Sequence, residues 1–288
     1  MIQSRSRARW APGLLAGPGA AFMILVFVTP VVILAASSFL DSGKQLTLAH
    51  YWRFFSEPQY FSTLWNSLRL AFFTTITAIL LAYPLAYAMA TFSSGWRNTI
   101  LIVTILPLTI SVVIRSFGWQ ILLRNGGPIN QSLTALGLID EPLRLLFSET
   151  GVVIGLVHVY LPFMVLPLAS AIERIDSRLE EAAMMLGASA FRRFIHVVLP
   201  LSVPGLAAGA TLVFTASISA YVTPALLGGE FIQVMPTMVA QQVLTLMDWS
   251  FGSAVSMILT VVSLFVLVIH WATAARFTNW ASRAEVVK

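Results

Sequence analysis

The sequence predicts an all-α polytopic membrane protein with six transmembrane helices. Of the 288 residues, 58% are hydrophobic and only 10% are charged, whereas about a quarter of the residues of a soluble domain carry charge. The apolar residues collect into six runs, and nearly all charged residues lie between those runs. Because a soluble fold could not bury so much apolar surface, lipid must be the solvent for much of this chain.

Each apolar run is long enough to cross a bilayer as a helix, which takes about 20 residues. The predicted spans are 14–39, 65–90, 99–123, 151–171, 201–226 and 251–274. The first run follows Arg5, Arg7 and Arg9, as the apolar region of a signal peptide would. It is longer than the roughly 7–15 residues of such a region, so it predicts an uncleaved helix.

The spans divide the chain into four parts. These are an N-terminal segment 1–13, a first helix 14–39, a core 65–274 with five helices, and a tail 275–288. Within the core, the segment 172–200 joins the fourth and fifth spans and is charged and amphipathic. It is therefore predicted to lie at a membrane surface.

The basic residues are divided unequally between the two sides of this arrangement. Eleven lie in the termini and in the loops after the second and fourth spans, four lie in the opposite loops, and Arg69 and Arg115 fall inside spans. Cytoplasmic loops carry the excess of lysine and arginine. Both termini and the segment 172–200 are thus predicted to be cytoplasmic, and the net charge of +5 reflects topology rather than a nucleic-acid partner.

The sequence offers little catalytic chemistry. No carboxylate lies in a predicted span, and His158 and His270 are the titratable candidates there for a proton relay. The chain has no cysteine, no G-x-x-x-x-G-K-[ST] phosphate loop and no His-Glu-x-x-His metal motif. We therefore expect no catalytic residue, no cofactor and no metal. Because the spans hold so few titratable groups and the chain has no phosphate loop, any energy that the protein uses must come from outside the chain.

A short amphipathic helix is predicted within the segment 172–200. Ser177 and Glu180 have the S-x-x-E spacing of a capping box. Gly187 stands where a helix C-cap is expected, and Ser189 opens a second amphipathic run. The residues spaced along one helical face are Leu179, Ala182, Ala183 and Leu186. This periodicity is compatible both with a solvated helix and with a docking surface for a soluble partner.

The same segment resembles the EAA loop of ABC importer permeases, which has the pattern E-A-A-x-x-x-G followed nine residues later by I-x-L-P. The matching residues are Glu181, Ala182, Ala183, Gly187, Leu199 and Pro200. Val197 stands where the family usually has isoleucine. In that family the loop forms a coupling helix that docks into a cytoplasmic ATPase, and the resemblance implies this role for the matching residues.

The resemblance extends from about residue 66 to residue 252, and among type I importer permeases the chain is most similar to the spermidine/putrescine group. The stretches that carry this similarity are 83–87, 115–119, 136–139, 161–167 and 221–229. Related permeases for opines, phosphonates, iron and thiamine share parts of them. The resemblance implies that the chain lies in a bacterial inner (plasma) membrane and forms a heterodimer with a second permease subunit. It also implies two ATP-binding subunits and an extracytoplasmic substrate-binding protein as partners.

Aromatic and acidic residues near the span ends are candidates for contact with a polycation, since a cation over an aromatic face gains about 0.5–2 kcal/mol. The candidates are Phe117, Trp119, Tyr221, Asp248 and Trp249. The alternative is an interfacial aromatic belt. Arg115 would repel a polyamine unless it were paired, so we expect it to pack between helices or to bond a backbone carbonyl. Alternative functions are import of another small solute and, less favoured, a membrane-embedded enzyme.

Overall fold

The structure is a computed structural model that describes residues 11–41, 43 and 45–285. The predicted N-terminal segment up to residue 10 and the last three residues of the tail lie outside the described residues. The helices are α1 (Ala11–Ser38), α2 (Ala49–Ser56), α3 (Pro58–Thr91), α4 (Ser94–Ile105), α5 (Val112–Leu123), α6 (Pro128–Ala135), α7 (Glu149–Glu173), α8 (Ser177–Met185), α9 (Ala190–Arg193), α10 (Leu199–Ile218), α11 (Val222–Leu227), α12 (Met235–Ala240) and α13 (Trp249–Glu285). Within the described ranges, extended pairing is confined to one isolated bridge between Leu40 and Leu46.

Five described helical stretches are long and apolar enough to cross a membrane. They are Gly17–Ser38, Pro58–Thr91, Glu149–Glu173, Ala190–Ile218 and Trp249–Ala272. They contain most of five of the six predicted spans, so the prediction of a polytopic helical protein is confirmed. The sixth crossing depends on a bent pair, Ser94–Thr109 and Val112–Ala135, whose two parts meet at 102°.

The prediction of one continuous helix over 99–123 is therefore wrong. A 3-10 turn covers Leu106–Thr109, and Ile110 is extended, with φ −94° and ψ 134°. Pro107 lies in that turn and supplies no N–H group. Arg115 donates hydrogen bonds to the carbonyl oxygens of Pro107 and Ile110, which compensates for backbone bonds lost at the break. This confirms that Arg115 bonds backbone carbonyls.

The predicted fifth span, 201–226, is also interrupted. α10 ends at Ile218, and α11 begins separately at Val222. A continuous helix would require the Pro224 nitrogen to donate to the carbonyl of Ala220, and proline has no N–H group to donate. Pro224 instead lies in the first turn of α11, where a missing donor costs little.

The described residues divide into two compact units, one formed by those within 1–58 and 239–259 and the other by those within 59–238 and 260–288. In the larger unit, α7 and α10 pack closely. A Cβ atom on Gly205 would lie 2.6 Å from the Pro167 carbonyl oxygen, and one on Gly209 would lie 3.1 Å from that of Met164. This small-xxx-small spacing is a device for close helix contact within membranes.

The smaller unit joins the end of α1, α2 and the start of α13. The Ser38 hydroxyl lies 2.7 Å from the Tyr51 hydroxyl, and the rings of Phe39 and Tyr51 are 5.2 Å apart. Phe54 of α2 and Phe251 of α13 are fully buried. α2 is thereby held to the end of α1, and its His50 ring lies 6.4 Å from the Phe251 ring in the first turn of α13.

Candidate coupling segment and substrate pathway

α8 begins with a cap that the sequence analysis misplaced by one residue. The Asp176 carboxylate accepts a hydrogen bond of 3.0 Å from the Arg178 N–H, and Asp176 has extended backbone angles. The predicted capping box of Ser177 and Glu180 is wrong, because Ser177 is already the first helical residue. A carboxylate at this position also interacts favourably with the positive end of the helix dipole.

The end of α8 confirms the predicted glycine C-cap. Gly187 has φ +76°, its N–H donates to the Met184 carbonyl at 2.9 Å, and the Ala188 N–H donates to the Ala183 carbonyl at 3.0 Å. These two bonds form a Schellman motif. A Cβ atom at Gly187 would meet nothing within 4 Å, so glycine is required by the backbone conformation and not by space.

The tip of α8 exposes three consecutive apolar side chains. Met184 is 55% exposed, and Met185 and Leu186 are each 89% exposed. Glu181 and Ala182 are exposed as well, while Ala183 is half-buried. Contiguous apolar surface of this kind is typical of an interaction site, and methionine side chains adapt readily to a partner. On the predicted apolar face, Leu179, Ala182 and Leu186 are thus exposed, and Ala183 is the partly covered member.

The second half of the motif is less exposed than the first. Leu199 and Pro200 open α10 and are half-buried, directly after the buried Val198. A π-helical turn, Phe194–Val198, connects α9 to α10. The motif therefore joins an exposed helix to the packed start of a span.

Two tyrosines of α3 hold that π-helical turn. The Phe194 ring meets the rings of Tyr83 and Tyr87 edge to face, with centroids 5.1 and 6.0 Å away. The Tyr83 hydroxyl is hydrogen-bonded to the hydroxyl of Ser202 in α10. Sequence reasoning missed Phe194, since a π-helical turn leaves no recognisable residue pattern. Its contacts link the coupling segment mechanically to α3.

Trp119 is held by a histidine of α7. Its indole N–H donates a 3.0 Å hydrogen bond to Nδ1 of His158, and the two rings are nearly perpendicular, with centroids 5.5 Å apart. The bond assigns Nδ1 of His158 as the acceptor. Phe117 is 50% exposed and Tyr221 is 46% exposed, whereas Trp119 is half-buried. The structure brings Trp119 together with His158.

His270 also has a local partner. Its Nδ1 lies 2.8 Å from the Thr211 hydroxyl oxygen, so both span histidines take part in hydrogen bonds. This supports the view that they are packed, hydrogen-bonded residues. Among the described residues, no group of three or more histidine, aspartate or glutamate side chains has the arrangement of a metal site.

Asp248 lies in the smaller unit and has two partners. One carboxylate oxygen accepts from the Phe251 N–H at 3.1 Å and caps α13, and the other is 3.3 Å from Nη1 of Arg53. The preceding residue, Met247, has φ +56°, a conformation that costs a non-glycine residue on the order of 1 kcal/mol. Trp249 is 62% exposed. No local sequence pattern marks Arg53 as a partner of Asp248, because the two residues are 195 positions apart.

These features define a class of protein. Several long apolar helices have the length and composition to cross a membrane, and α8, which is capped at both ends and exposed, lies between two of them in the chain. Residues 18–277 match the family described as Binding-protein-dependent transport system inner membrane component. The chain belongs to this family.

The relatives and solved structures agree with that assignment. The spermidine/putrescine transport system permease protein PotB of Salmonella typhimurium (strain SL1344) is 36% identical over 264 residues, covering 90% of this chain and 91% of that protein. The inner membrane ABC transporter permease protein YdcU of Escherichia coli (strain K12) is 31% identical over 241 residues, covering 76% of each chain. A crystal structure of a bacterial ABC transporter involved in alginate import matches with a TM-score of 0.76 at 20% identity, covering 93% of this chain and 96% of that chain.

The comparisons confirm the predicted type of fold and the predicted class of function. The chain is a permease subunit of an ABC importer in an inner membrane, and ATP hydrolysis belongs to partner subunits. The resemblance to the spermidine/putrescine permeases is confirmed as well. The assignments of individual coupling and pathway residues stay predictions.

Proposed function

We propose that this permease imports polyamines such as spermidine and putrescine. The observation that carries the proposal is the 36% identity to a spermidine/putrescine permease over 90% of this chain. Aromatic side chains that are exposed or half-buried, together with a carboxylate, lie near span ends and supply the groups that a polycation requires. Phe117, Trp119, Tyr221, Asp248 and Trp249 are the residues that we assign to the pathway.

The working assembly contains a second permease subunit, two ATP-binding subunits and an extracytoplasmic substrate-binding protein. ATP binding closes the ATPase pair and moves α8, and the permease pair then opens outward to receive substrate from the binding protein. The exposed apolar tip of α8 supports a docking role, since it offers about one helical turn of uncovered surface. Glu181, Ala182, Ala183, Gly187, Leu199 and Pro200 carry the coupling.

α8 must face the cytoplasm if the ATP-binding subunits dock on it there. Four spans precede α8 and two follow it in the six-span topology, so both termini must be cytoplasmic as well. Single cysteines test this orientation cleanly because the chain has none of its own. Gln131 and Arg178 are exposed and lie on opposite sides of the membrane in the proposed orientation, so an impermeant thiol reagent should label Gln131→Cys in intact cells and spare Arg178→Cys. Both should react after the cells are opened. Labelling of Arg178→Cys from outside would contradict the orientation.

The alternative cargo is another small solute such as an opine, a phosphonate, iron or thiamine. Arg115 is the observation that favours a solute with an anionic group, because it places a cation within the broken span. Its guanidinium group is, however, hydrogen-bonded to the carbonyl oxygens of Pro107 and Ile110, which reduces its capacity for a ligand. The polyamine assignment is therefore preferred.

The deciding experiment is uptake by sealed vesicles that carry the complete complex, with ATP on the ATPase side and the binding protein on the other. We expect saturable uptake of labelled spermidine or putrescine that requires both ATP and the binding protein. ATP-dependent uptake of an opine, a phosphonate or a metal without any polyamine uptake would contradict the substrate assignment. Activity on a substrate without any partner subunit would instead favour the membrane-embedded enzyme.

A further inference from the structure

Two carboxylates and an aromatic ring surround the guanidinium group of Arg53. Its Nη1 is 3.3 Å from Oδ2 of Asp248, and its Nε is 3.6 Å from Oε1 of Glu57. Its central carbon lies 4.2 Å from the centroid of the Phe251 ring. Carboxylates and an aromatic face are the groups with which proteins bind organic cations. Arg53 thus occupies a position that has the groups of a cation-binding site.

Asp248 and Phe251 are held in place without the help of Arg53. Asp248 caps α13 through the Phe251 N–H, and its own N–H donates to the Gln242 carbonyl at 2.9 Å. The Phe251 side chain is completely buried, so its ring cannot turn away. Asp248 and Phe251 would therefore keep their positions if the Arg53 guanidinium group moved away from them.

The guanidinium group is held more loosely. The side chains of Arg53 and Glu57 are each 43% exposed, and that of Asp248 is 34% exposed. Ion pairs with this degree of exposure contribute little to stability, so exchange of one cation for another has a small energetic cost. A polyamine can offer a separate ammonium group to each carboxylate, whereas Arg53 shares one guanidinium group between them.

We propose that Asp248, Glu57 and Phe251 form a weak binding site for alkylammonium groups, and that Arg53 is a tethered competitor for that site. A group tethered nearby acts as a competitor at millimolar effective concentration, which weakens the apparent affinity for free cations. Cargo therefore engages the site briefly and is displaced by Arg53. This proposal rests on the proposed function, since it requires a polycationic cargo.

Equilibrium binding of labelled spermidine to the complete transporter in lipid nanodiscs, without the binding protein, tests the site. Arg53→Gln removes the competing charge and should tighten spermidine binding about 3–5-fold. Arg53→Lys keeps a tethered cation and should stay close to wild type. Asp248→Asn should weaken binding at least 5-fold while preserving the cap, because the asparagine oxygen can still accept from the Phe251 N–H.

Two further variants complete the test. The double variant Arg53→Gln/Asp248→Asn should bind spermidine more weakly than Arg53→Gln alone, because only the Glu57 carboxylate remains at the site to attract an ammonium group. Arg97→Gln is the matched control, since it breaks another partly exposed ion pair, Arg97–Glu173, with an N–O distance of 3.0 Å. It should leave spermidine binding unchanged.

The proposal is overturned if Arg53→Gln leaves spermidine binding unchanged or weakens it to the extent of Asp248→Asn, since Arg53 would then be only a structural partner. Absence of binding to wild type and to Arg53→Gln at millimolar spermidine would overturn it too. Vesicle uptake separates this failure from that of the proposed function. If polyamine uptake is normal while spermidine binding does not change on substitution of Arg53, the competitor role of Arg53 is refuted and the proposed permease function stands.

Discussion

The coupling segment around α8 and the turn that precedes α13 differ in the range of their contacts. α8 is closed by hydrogen bonds between residues two to five positions apart, and its tip is 89% exposed at Met185 and Leu186. The turn before α13 also has a local cap, but its Asp248 forms an ion pair across 195 residues as well, and the Phe251 ring that follows is buried. Local contacts alone are enough to close α8, whereas the Asp248 carboxylate serves a local cap and a distant ion pair at once.

The largest effect should come from the backbone at the end of α8. Gly187→Val forces a β-branched residue into a left-handed conformation, which costs roughly 1–2 kcal/mol or more, and disrupts the Schellman motif. We expect normal insertion, with ATP-driven uptake reduced at least 10-fold. The measurement is vesicle uptake together with the amount of ATPase subunit that co-purifies.

Gly95→Val is the matched control for that substitution. Gly95 is exposed in α4, no heavy atom lies within 4 Å of a Cβ atom built there, and its φ lies outside the left-handed range. Uptake by Gly95→Val should stay within about 2-fold of wild type, since a surface substitution of this kind changes stability little. Equal losses in both variants would show that valine is harmful by bulk rather than by backbone strain.

A smaller effect should follow from reversing a charge on the exposed surface of α8. Glu181→Lys leaves both caps of α8 intact, so the permease itself should be as stable as wild type. Weaker docking of the ATPase should lower uptake several-fold. Asp140→Lys reverses an exposed charge in another loop and serves as the comparison. Transport by Glu181→Lys at the wild-type rate, with a fully assembled complex, would contradict the assignment of Glu181 to coupling.

The smallest effect should be on the stability of the turn before α13. Asp248→Ala removes both the cap and the ion pair with Arg53, and the lost N-cap alone costs about 1 kcal/mol. Asp248→Asn retains the cap and loses only a partly exposed ion pair, worth about 0–1 kcal/mol. Thermal unfolding of the purified complex should therefore rank wild type above Asp248→Asn and Asp248→Asn above Asp248→Ala. Identical midpoints for the two variants would argue against the capping role.

The same contrast explains how far sequence alone could predict this protein. The end of α8 was predictable because Gly187 terminates a helix through bonds to its own neighbours. The start was missed by one residue because Asp176 and Ser177 are both good capping residues and stand side by side. The ion pair between Arg53 and Asp248 could not be predicted, because residues so far apart in the chain form no local sequence pattern.

The broken third span was missed for a different reason. Apolar residues continue through 101–114 with few interruptions, so hydropathy indicates one long run. The break depends on the 3-10 turn at Pro107 and on the Arg115 guanidinium group, which bonds the carbonyls at the bend. Proline alone could not reveal it, because α3 and α7 continue through their own prolines.

Crosslinking from the tip of α8 tests the central claim most directly. A benzophenone attached to Leu186→Cys in the complete complex should capture an ATP-binding subunit. The same group on Leu138→Cys, which is 67% exposed in the loop after α6, should not. A crosslink to the ATPase at 186 alone is the predicted result. An ATPase crosslink at 138 with none at 186 would contradict both the coupling role of α8 and the proposed orientation.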